Sequence, residues 1–242
     1  MEQTNLAKKT AIVTGAGRGI GRAIALTLAA RGAHVVAAAR TGTEVNDTAE
    51  YINRSGGTAT PIVFDLADEK TIQSLFSFVR DLGGGLDILV NNAGIGKFGL
   101  FHEFPTSDLQ DLLDTNVRGT YICCREAMKL MIPKKSGYII NIASVVGFKG
   151  YPNQSAYTAS KHAIVGMTKS LAVEAQKYYI RASVVNPGGT ATDLVTEARP
   201  DLDTSQLMLP EDIAQAVLFL LTLSDRCAID EIYIRRRKSK PF

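Results

Sequence analysis

Tyr157 and Lys161 are the residues of this 242-residue chain best suited to chemistry, because they stand four apart at the start of a stretch with helical spacing. Side chains at i and i+4 of a helix project from one face, one turn apart. A phenol has an ordinary pKa near ~10 and is a poor acid or base at neutral pH. An ammonium beside it favours the phenolate and is expected to lower that pKa toward the useful range. Ser144, in the segment leading into this helix, offers a hydroxyl that can hydrogen-bond an oxygen as negative charge builds on it. Tyr–Lys pairs at this spacing are also common on helix surfaces, so the pattern needs support from the rest of the chain.

That support begins near the N-terminus. TGAGRGIG, Thr14–Gly21, lies between an apolar run and a helical pattern. Its glycines Gly15, Gly17, Gly19 and Gly21 allow a backbone approach that a Cβ would block. The helix N-terminus behind them presents free N–H groups and a positive dipole end, suited to a pyrophosphate. The string is T-G-x-x-x-G-x-G rather than G-x-G-x-x-G, since Ile20 fills the last position counted from Gly15. A dinucleotide 2′-OH is normally held by an acid about twenty residues further on, and a 2′-phosphate by an arginine. No Asp or Glu occurs between Glu2 and Glu44, whereas Arg40 ends the second apolar run and Arg18 sits inside the loop. Two guanidinium groups bind a phosphate through planar, charge-assisted hydrogen bonds. The pattern favours NADP(H) as cofactor over NAD(H).

The elements that must position these groups alternate regularly. Thr10–Val13, His34–Ala39, Ala59–Phe64, Asp87–Val90, Tyr138–Ile142, Ala182–Val185 and Glu231–Ile234 read as about seven strands, with Pro61 placing the third at a sheet edge. Between them, Gly19–Arg31, Glu44–Arg54, Glu69–Leu82, a long helix from Ser107 to Met131, Ala156–Lys177 and Glu211–Leu223 read as helices. Residues from Gly188 to Leu209 read as irregular or as short helices. Apolar strands alternating with helices argue for a parallel sheet covered on both faces, and right-handed crossovers make it doubly wound. The expected fold class is α/β: a single Rossmann-type domain over residues 1–242, ending in a basic tail at 235–242. Ligands of such sheets sit at the C-terminal ends of the strands, and the unusual residues fall in those loops.

Composition narrows the function classes. Lys plus Arg number 27 and Asp plus Glu 24, giving a net charge of +3. Arg235, Arg236, Arg237, Lys238 and Lys240 supply five positive charges in the last eight positions, so the body is slightly acidic. A nucleic-acid-binding body is disfavoured, and so is a membrane partner; short basic tails are usually solvated. No apolar run approaches the ~18 residues of a membrane helix, and the first residues lack the apolar stretch of a secretory signal. Cys123, Cys124 and Cys227 have no metal-ligand spacing and read as reduced thiols of a cytoplasmic protein without a metal.

Taken together, the motifs resemble those of the short-chain dehydrogenase/reductase family, the 3-oxoacyl-[acyl-carrier-protein] reductases among its members. TGAGRGIG is similar to the family's cofactor loop and NNAG, Asn91–Gly94, to its fourth-strand motif. Asn116 lies where the family carries its catalytic Asn, Ser144 precedes Tyr157 and Lys161 at the family's spacing, and NPGGTAT, Asn186–Thr192, resembles the loop after strand six. The resemblance implies a Ser144–Tyr157–Lys161–Asn116 site reducing a carbonyl by hydride transfer. Tyr157 would supply the proton, Lys161 bind the nicotinamide ribose and lower the Tyr157 pKa, Ser144 hold the substrate oxygen, and Asn116 anchor a water linking Lys161 to solvent. Cofactor contacts carry over to Gly15, Gly17, Arg18, Gly19, Ile20, Gly21, Arg40, Asp65, Asn91, Ala93 and Gly94, and to Pro187, Gly188, Thr190 and Thr192. For Asn91, support of the sheet is the favoured reading; for Asp65, an adenine contact and a helix-capping acid weigh evenly.

The family's segments that would name a substrate depart here. Leu194–Leu209 is short and polar, and AIDEIYIRRRKSKPF replaces the usual ending. The resemblance also implies a homo-oligomer, a tetramer or a dimer, consistent with the apolar residues Ile122, Met128, Leu130, Ile164, Met167 and Leu171 of the two long helices. The alternative to an enzyme is a catalytically silent dinucleotide-binding redox sensor.

Overall fold

The structure is a computed structural model that describes residues 5–198 and 203–241. It contains one parallel sheet built from β1 (Thr10–Thr14), β2 (His34–Ala39), β3 (Thr58–Val63), β4 (Ile88–Asn91), β5 (Gly137–Ile142), β6 (Ile180–Pro187) and β7 (Glu231–Ile234). The strand order is β3-β2-β1-β4-β5-β6-β7, so Pro61 does lie in an edge strand. The order in which successive strands are added reverses between β1 and β4, which stay parallel, and this is the point at which a doubly wound sheet opens a crevice.

Pleating explains why each strand reads as an unbroken apolar run. Ala11 and Val13 of β1 point into one core, with Ile24 and Leu28 of α1 (Gly19–Ala29), Val45 and Ile52 of α2 (Gly42–Arg54) and Ile213 and Val217 of α8 (Pro210–Thr222). Ile12, between them, points into the other core, with Ile72 and Leu75 of α3 (Glu69–Asp81) and Ile122 and Met131 of α5 (Thr120–Met131). Residues of the central strands therefore bury their side chains on one face or the other, while Thr58 and Val63 of edge strand β3 and Tyr233 of edge strand β7 stay exposed. Fully burying one such aliphatic side chain stabilises the fold by roughly 2 kcal/mol.

The long helix expected from Ser107 to Met131 is interrupted. α4 (Thr106–Leu112) passes into a π-helical segment, Leu113–Gly119, before α5 resumes. A wider turn of this kind shifts side-chain phase locally and recurs at functional sites, and Asn116 lies inside it. α6 (Ser155–Gln176) is continuous and carries Tyr157 and Lys161 on its first turns. The segment after β6 holds the short helix α7 (Asp193–Ala198); residues 199–202 of the expected substrate cover lie outside the described residues.

The helix residues read as interface candidates also pack within this fold, to different depths. Ile122 and Ile164 are buried, while Met128, Leu130, Met167 and Leu171 pack against the second core. Tyr121 and Val173 are the large exposed apolar side chains of α5 and α6. Among the described residues, no helix is long and apolar enough to cross a membrane.

Candidate active site

The C-terminal rim of the sheet surrounds a cavity of about 910 Å³. Its floor at the switch point is tied together by Thr14 and Asn92. Thr14 Oγ1 accepts hydrogen bonds from the backbone N–H of Asn92 and of Ala93, each at 3.0 Å. Asn92 Nδ2 donates in return to the carbonyls of Thr14 (3.1 Å) and Gly15 (3.3 Å). The loops after β1 and β4 are thus held as one surface. Sequence reasoning singled out Asn91 and missed its neighbour. Strand alternation turns Asn91 away from the cavity, where its amide donates to Asn141 Oδ1 at 2.8 Å and to Cys124 Sγ at 3.3 Å. Asn91 is a sheet-supporting residue, not a lining one.

Gly21 also stands off the cavity wall. A Cβ there would lie 2.1 Å from the Gly15 carbonyl oxygen, so its role is close packing of α1 beneath the loop. Gly15, Gly17, Arg18, Gly19 and Ile20 do line the cavity. Gly15 adopts a φ of +66°, which a side chain would strain. α1 begins with no side-chain cap and no acid in its first turn. Its leading N–H groups face the cavity and suit an anionic ligand.

Ser144, Tyr157 and Lys161 come together on one wall. Ser144 follows β5 and caps the short 3-10 turn Val145–Gly147, accepting from Val146 N–H at 3.3 Å. Tyr157 is buried, its ring edge-on to Phe98 at 5.6 Å. An apolar cluster of Leu112, Val146, Ile95, Phe98 and Leu194 encloses that ring. Lys161 is buried as well; its Nζ donates to the Ile142 carbonyl at 3.2 Å and lies 5.7 Å from the Tyr157 ring centroid.

These placements correct one expectation. Burial pushes the Tyr157 phenol above its ordinary range, against a smaller opposing pull from its hydrogen bond with Ser144. The Lys161 ammonium, held on the β5 carbonyl, does not outweigh that burial. Burial in turn lowers Lys161 itself to about 8. Both shifts have one cause, the cost of charging a group removed from water.

Asn116 is buried but does not line the cavity. Its Nδ2 donates to the Ile95 carbonyl (2.9 Å) and to Ser160 Oγ (3.1 Å), and its Oδ1 accepts from Ile95 N–H (2.8 Å). The side chain pins the loop after β4 to α6. Gly94 fits between: a Cβ there would lie 3.0 Å from Asn116 Oδ1 and 3.7 Å from Lys161 Nζ.

At the opposite end lie Arg40, Thr41, Glu44 and Asp65. Arg40 is exposed and has no ion-pair partner among the described residues. Arg18 instead reaches across the mouth to Asp193 at 2.6 Å, so the two expected phosphate ligands are not equivalent. Glu44, missed from the sequence, packs against Gly17 on the same wall. Asp68, not Asp65, caps α3, while Asp65 accepts from Ala67 N–H and lines the cavity. Pro187, Gly188, Thr190 and Thr192 line the β6 side, together with Ala93 and Gly94 from the β4 loop.

The basic tail is only partly solvated: Arg237, Lys238 and Lys240 are exposed, while Arg235 and Arg236 are half-buried. Arg235, Arg236, Ser239 and Lys240 line the same cavity. Among the described residues, seven cationic side chains line it against three acidic ones. No local motif announces this placement; it follows from β7 pairing beside β6.

Comparison with known proteins accords with this geometry. A family model described as short chain dehydrogenase matches residues 9–203. A 3-oxoacyl-[acyl-carrier-protein] reductase of Synechocystis sp. is 37% identical over 225 residues, covering 90% of this chain and 91% of the relative. A 3beta-hydroxysteroid dehydrogenase of Mediterraneibacter gnavus is 37% identical over 198 residues, 81% of this chain and 71% of the relative. Among solved structures, a metagenomic short-chain oxidoreductase in complex with NADP superposes with a TM-score of 0.84 at 35% identity, covering 95% of this chain and 98% of the other.

Proposed function

Because the chain belongs to the short-chain dehydrogenase family, we propose that it is an NADP(H)-dependent oxidoreductase that interconverts a ketone carbonyl and a secondary alcohol. The observation that carries this reading is the convergence of Ser144, Tyr157 and Lys161 on one cavity whose other wall is the Gly15–Ile20 cradle. The cradle fits a dinucleotide: its glycines leave room for a pyrophosphate against the uncapped N–H groups of α1, and Arg40 stands ready for a 2′-phosphate. Asp65 would contact the adenine, and Thr190 and Thr192 the carboxamide end.

When bound, the reduced nicotinamide supplies the hydride that adds to the carbonyl carbon. Tyr157 gives its hydroxyl proton to the carbonyl oxygen as the C=O π bond opens, and Ser144 donates a hydrogen bond to that oxygen. A phenol held protonated by burial is in the state this direction requires. Lys161 stands behind Tyr157 as a buried cation that favours the phenolate left after transfer. Asn116 acts as a positioning residue, fixing the loop that encloses Tyr157 and Lys161. The relatives' named substrates include an oxoacyl thioester and a steroid; a 3-oxoacyl thioester or another ketone is the substrate class proposed here. A single catalytic domain spanning residues 1–242, working as a cytoplasmic tetramer or dimer, completes the reading.

The test is a panel of ketones and aldehydes assayed with NADPH and with NADH, run on the wild type and on Tyr157→Phe. Reduction by the wild type with a preference for NADPH, abolished in the variant, is the expected result. Full activity in Tyr157→Phe would sink the mechanism, and an intact cellular role for an inactive variant would favour the redox-sensor alternative. Light scattering at micromolar concentration tests the oligomer, which a monomer would refute.

A further inference from the structure

β7 runs parallel to β6 with Ile234 opposite Pro187, so the chain leaves β7 at the rim where the loop after β6 begins. Gly188 N–H donates to the Ile234 carbonyl at 2.7 Å and continues the pairing one step beyond the strand. β7 is anchored at its other end as well. Glu231 accepts from Asn186 Nδ2 at 2.7 Å and pairs with Lys169 at 3.1 Å.

Beyond Ile234 the chain folds into a compact turn. The Arg235 guanidinium donates through Nη1 to the carbonyls of Arg236 (3.3 Å), Arg237 (3.3 Å) and Ser239 (2.7 Å), and Ser239 N–H closes the turn on the Arg236 carbonyl at 3.0 Å. Arg235 thereby serves the shape of the tail. Arg236 lies along the loop after β6: its Cδ and Nε are each 3.5 Å from where a Gly189 Cβ would sit. Arg236 and Lys240 both line the cavity, and among the described residues no acid pairs with either. Asp193, an acid that lines the cavity on the β6 side, is held by Arg18.

Two unneutralised cations facing a ligand cavity call for an anion. The cofactor's 2′-phosphate is the wrong candidate, because Arg40 ends β2, four strand spacings from β6 and about 19 Å away. Ser144, by contrast, follows β5, the immediate neighbour of β6. Building on the reductase reading above, we propose that Arg236 and Lys240 form an anion clamp that selects carbonyl substrates carrying a carboxylate or phosphate group. Arg236 supplies the planar fork that such groups accept in pairs, and Lys240 a second charge.

The experiment compares matched ketones: acetoacetate with methyl acetoacetate, and dihydroxyacetone phosphate with dihydroxyacetone. Each is assayed with saturating NADPH on the wild type, Arg236→Ala, Lys240→Ala and, as a control off the cavity, Arg237→Ala. The wild type should prefer the charged member of a pair in kcat/KM. That ratio should fall about tenfold or more in Arg236→Ala, fall in Lys240→Ala, stay unchanged in Arg237→Ala, and shrink as salt is raised. The pair that shows the effect distinguishes carboxylate from phosphate. Calorimetric binding of acetoacetate and dihydroxyacetone phosphate to the NADP-loaded enzyme should weaken in parallel. A ratio near one in the wild type, or a loss that appears in the KM for NADPH instead, overturns the clamp. The binding measurement needs no turnover. If no ketone is reduced but the charged ligands still bind through Arg236, the reductase reading fails and the clamp stands. If turnover occurs without charge preference, the clamp fails and the reductase reading stands.

Discussion

Lys161 Nζ donates to the backbone carbonyl of Ile142 at 3.2 Å, so the buried ammonium of α6 is fastened to the last residue of β5 rather than to the phenol one turn before it. The bond spans the two elements that carry the site, Ser144 just past β5 and Tyr157 on α6. It also places a titrating charge beside the reacting groups, with its pKa lowered to about 8 by burial.

The reductive kcat/KM is therefore expected to fall as pH rises through about 8, where Lys161 loses its proton and Tyr157 its cationic neighbour. The pH profile of kcat/KM reports the free enzyme's groups and checks this directly. Stability should respond in the opposite sense. Between about 8 and the ordinary 10.5 of a lysine, the unfolded chain binds the proton that the folded chain has released, so this group makes stability rise with pH in that window. Lys161→Met should lose this contribution, which thermal melts of both proteins across pH 7 to 10 would reveal as a converging difference in Tm.

Tyr157→Phe should lower kcat by a factor of about 10²–10⁴, the range for loss of a positioned proton donor. Ser144→Ala should lose about 10²-fold, as expected for one donor to a developing oxyanion. NADPH affinity, measured by fluorescence titration, should change little in Ser144→Ala. A matching loss of affinity would mean that Ser144 supports the cradle instead of the carbonyl.

Arg40→Ala should raise the KM for NADPH about tenfold or more and leave that for NADH nearly unchanged, since only the former carries a 2′-phosphate. Arg18→Ala should do less, because Arg18 is paired with Asp193 at 2.6 Å and exposed pairs contribute little. Steady-state kinetics with both cofactors decide between the two arginines. Equal effects would mean that Arg18 leaves Asp193 on binding.

Gly21→Ala should destabilise the fold and weaken NADPH binding together, as its Cβ would meet the Gly15 carbonyl oxygen at 2.1 Å with backbone on both sides. Gly166→Ala is the contrasting case. Gly166 is exposed on α6 with nothing within 4 Å of an added Cβ, and alanine there should stabilise the helix by up to about 1 kcal/mol. Melting curves should move in opposite directions, with Gly166→Ala raising Tm by about 2 °C.

The β-strand pattern was legible because burial on both faces leaves a continuous apolar signature, as in His34–Ala39, whose bounds the sequence places where the structure has them. Pro61 marked an edge strand for the same kind of local reason, its missing N–H. The π-helical segment around Asn116 was not legible, since Thr106–Met131 has helical composition throughout and the wider turn is set by packing. Nor could composition separate Asn91 from Asn92. Both are polar residues at a strand end, and only the pleat decides that one meets Cys124 and the other the glycine loop.

What the sequence determined by itself was the parallel sheet, the glycine loop at its switch point and the Tyr157–Lys161 spacing, all carried by local propensity and periodicity. The direction of the Tyr157 and Lys161 pKa shifts was decided only in three dimensions, because desolvation depends on every element packed around a group. Tertiary structure likewise decided the place of the basic tail. In sequence, Arg235–Lys240 is a charged end with no local reason to be near Tyr157. The parallel register of β7 on β6 brings it to the rim of the cavity, because strands that share a direction deliver their following residues to the same edge of the sheet.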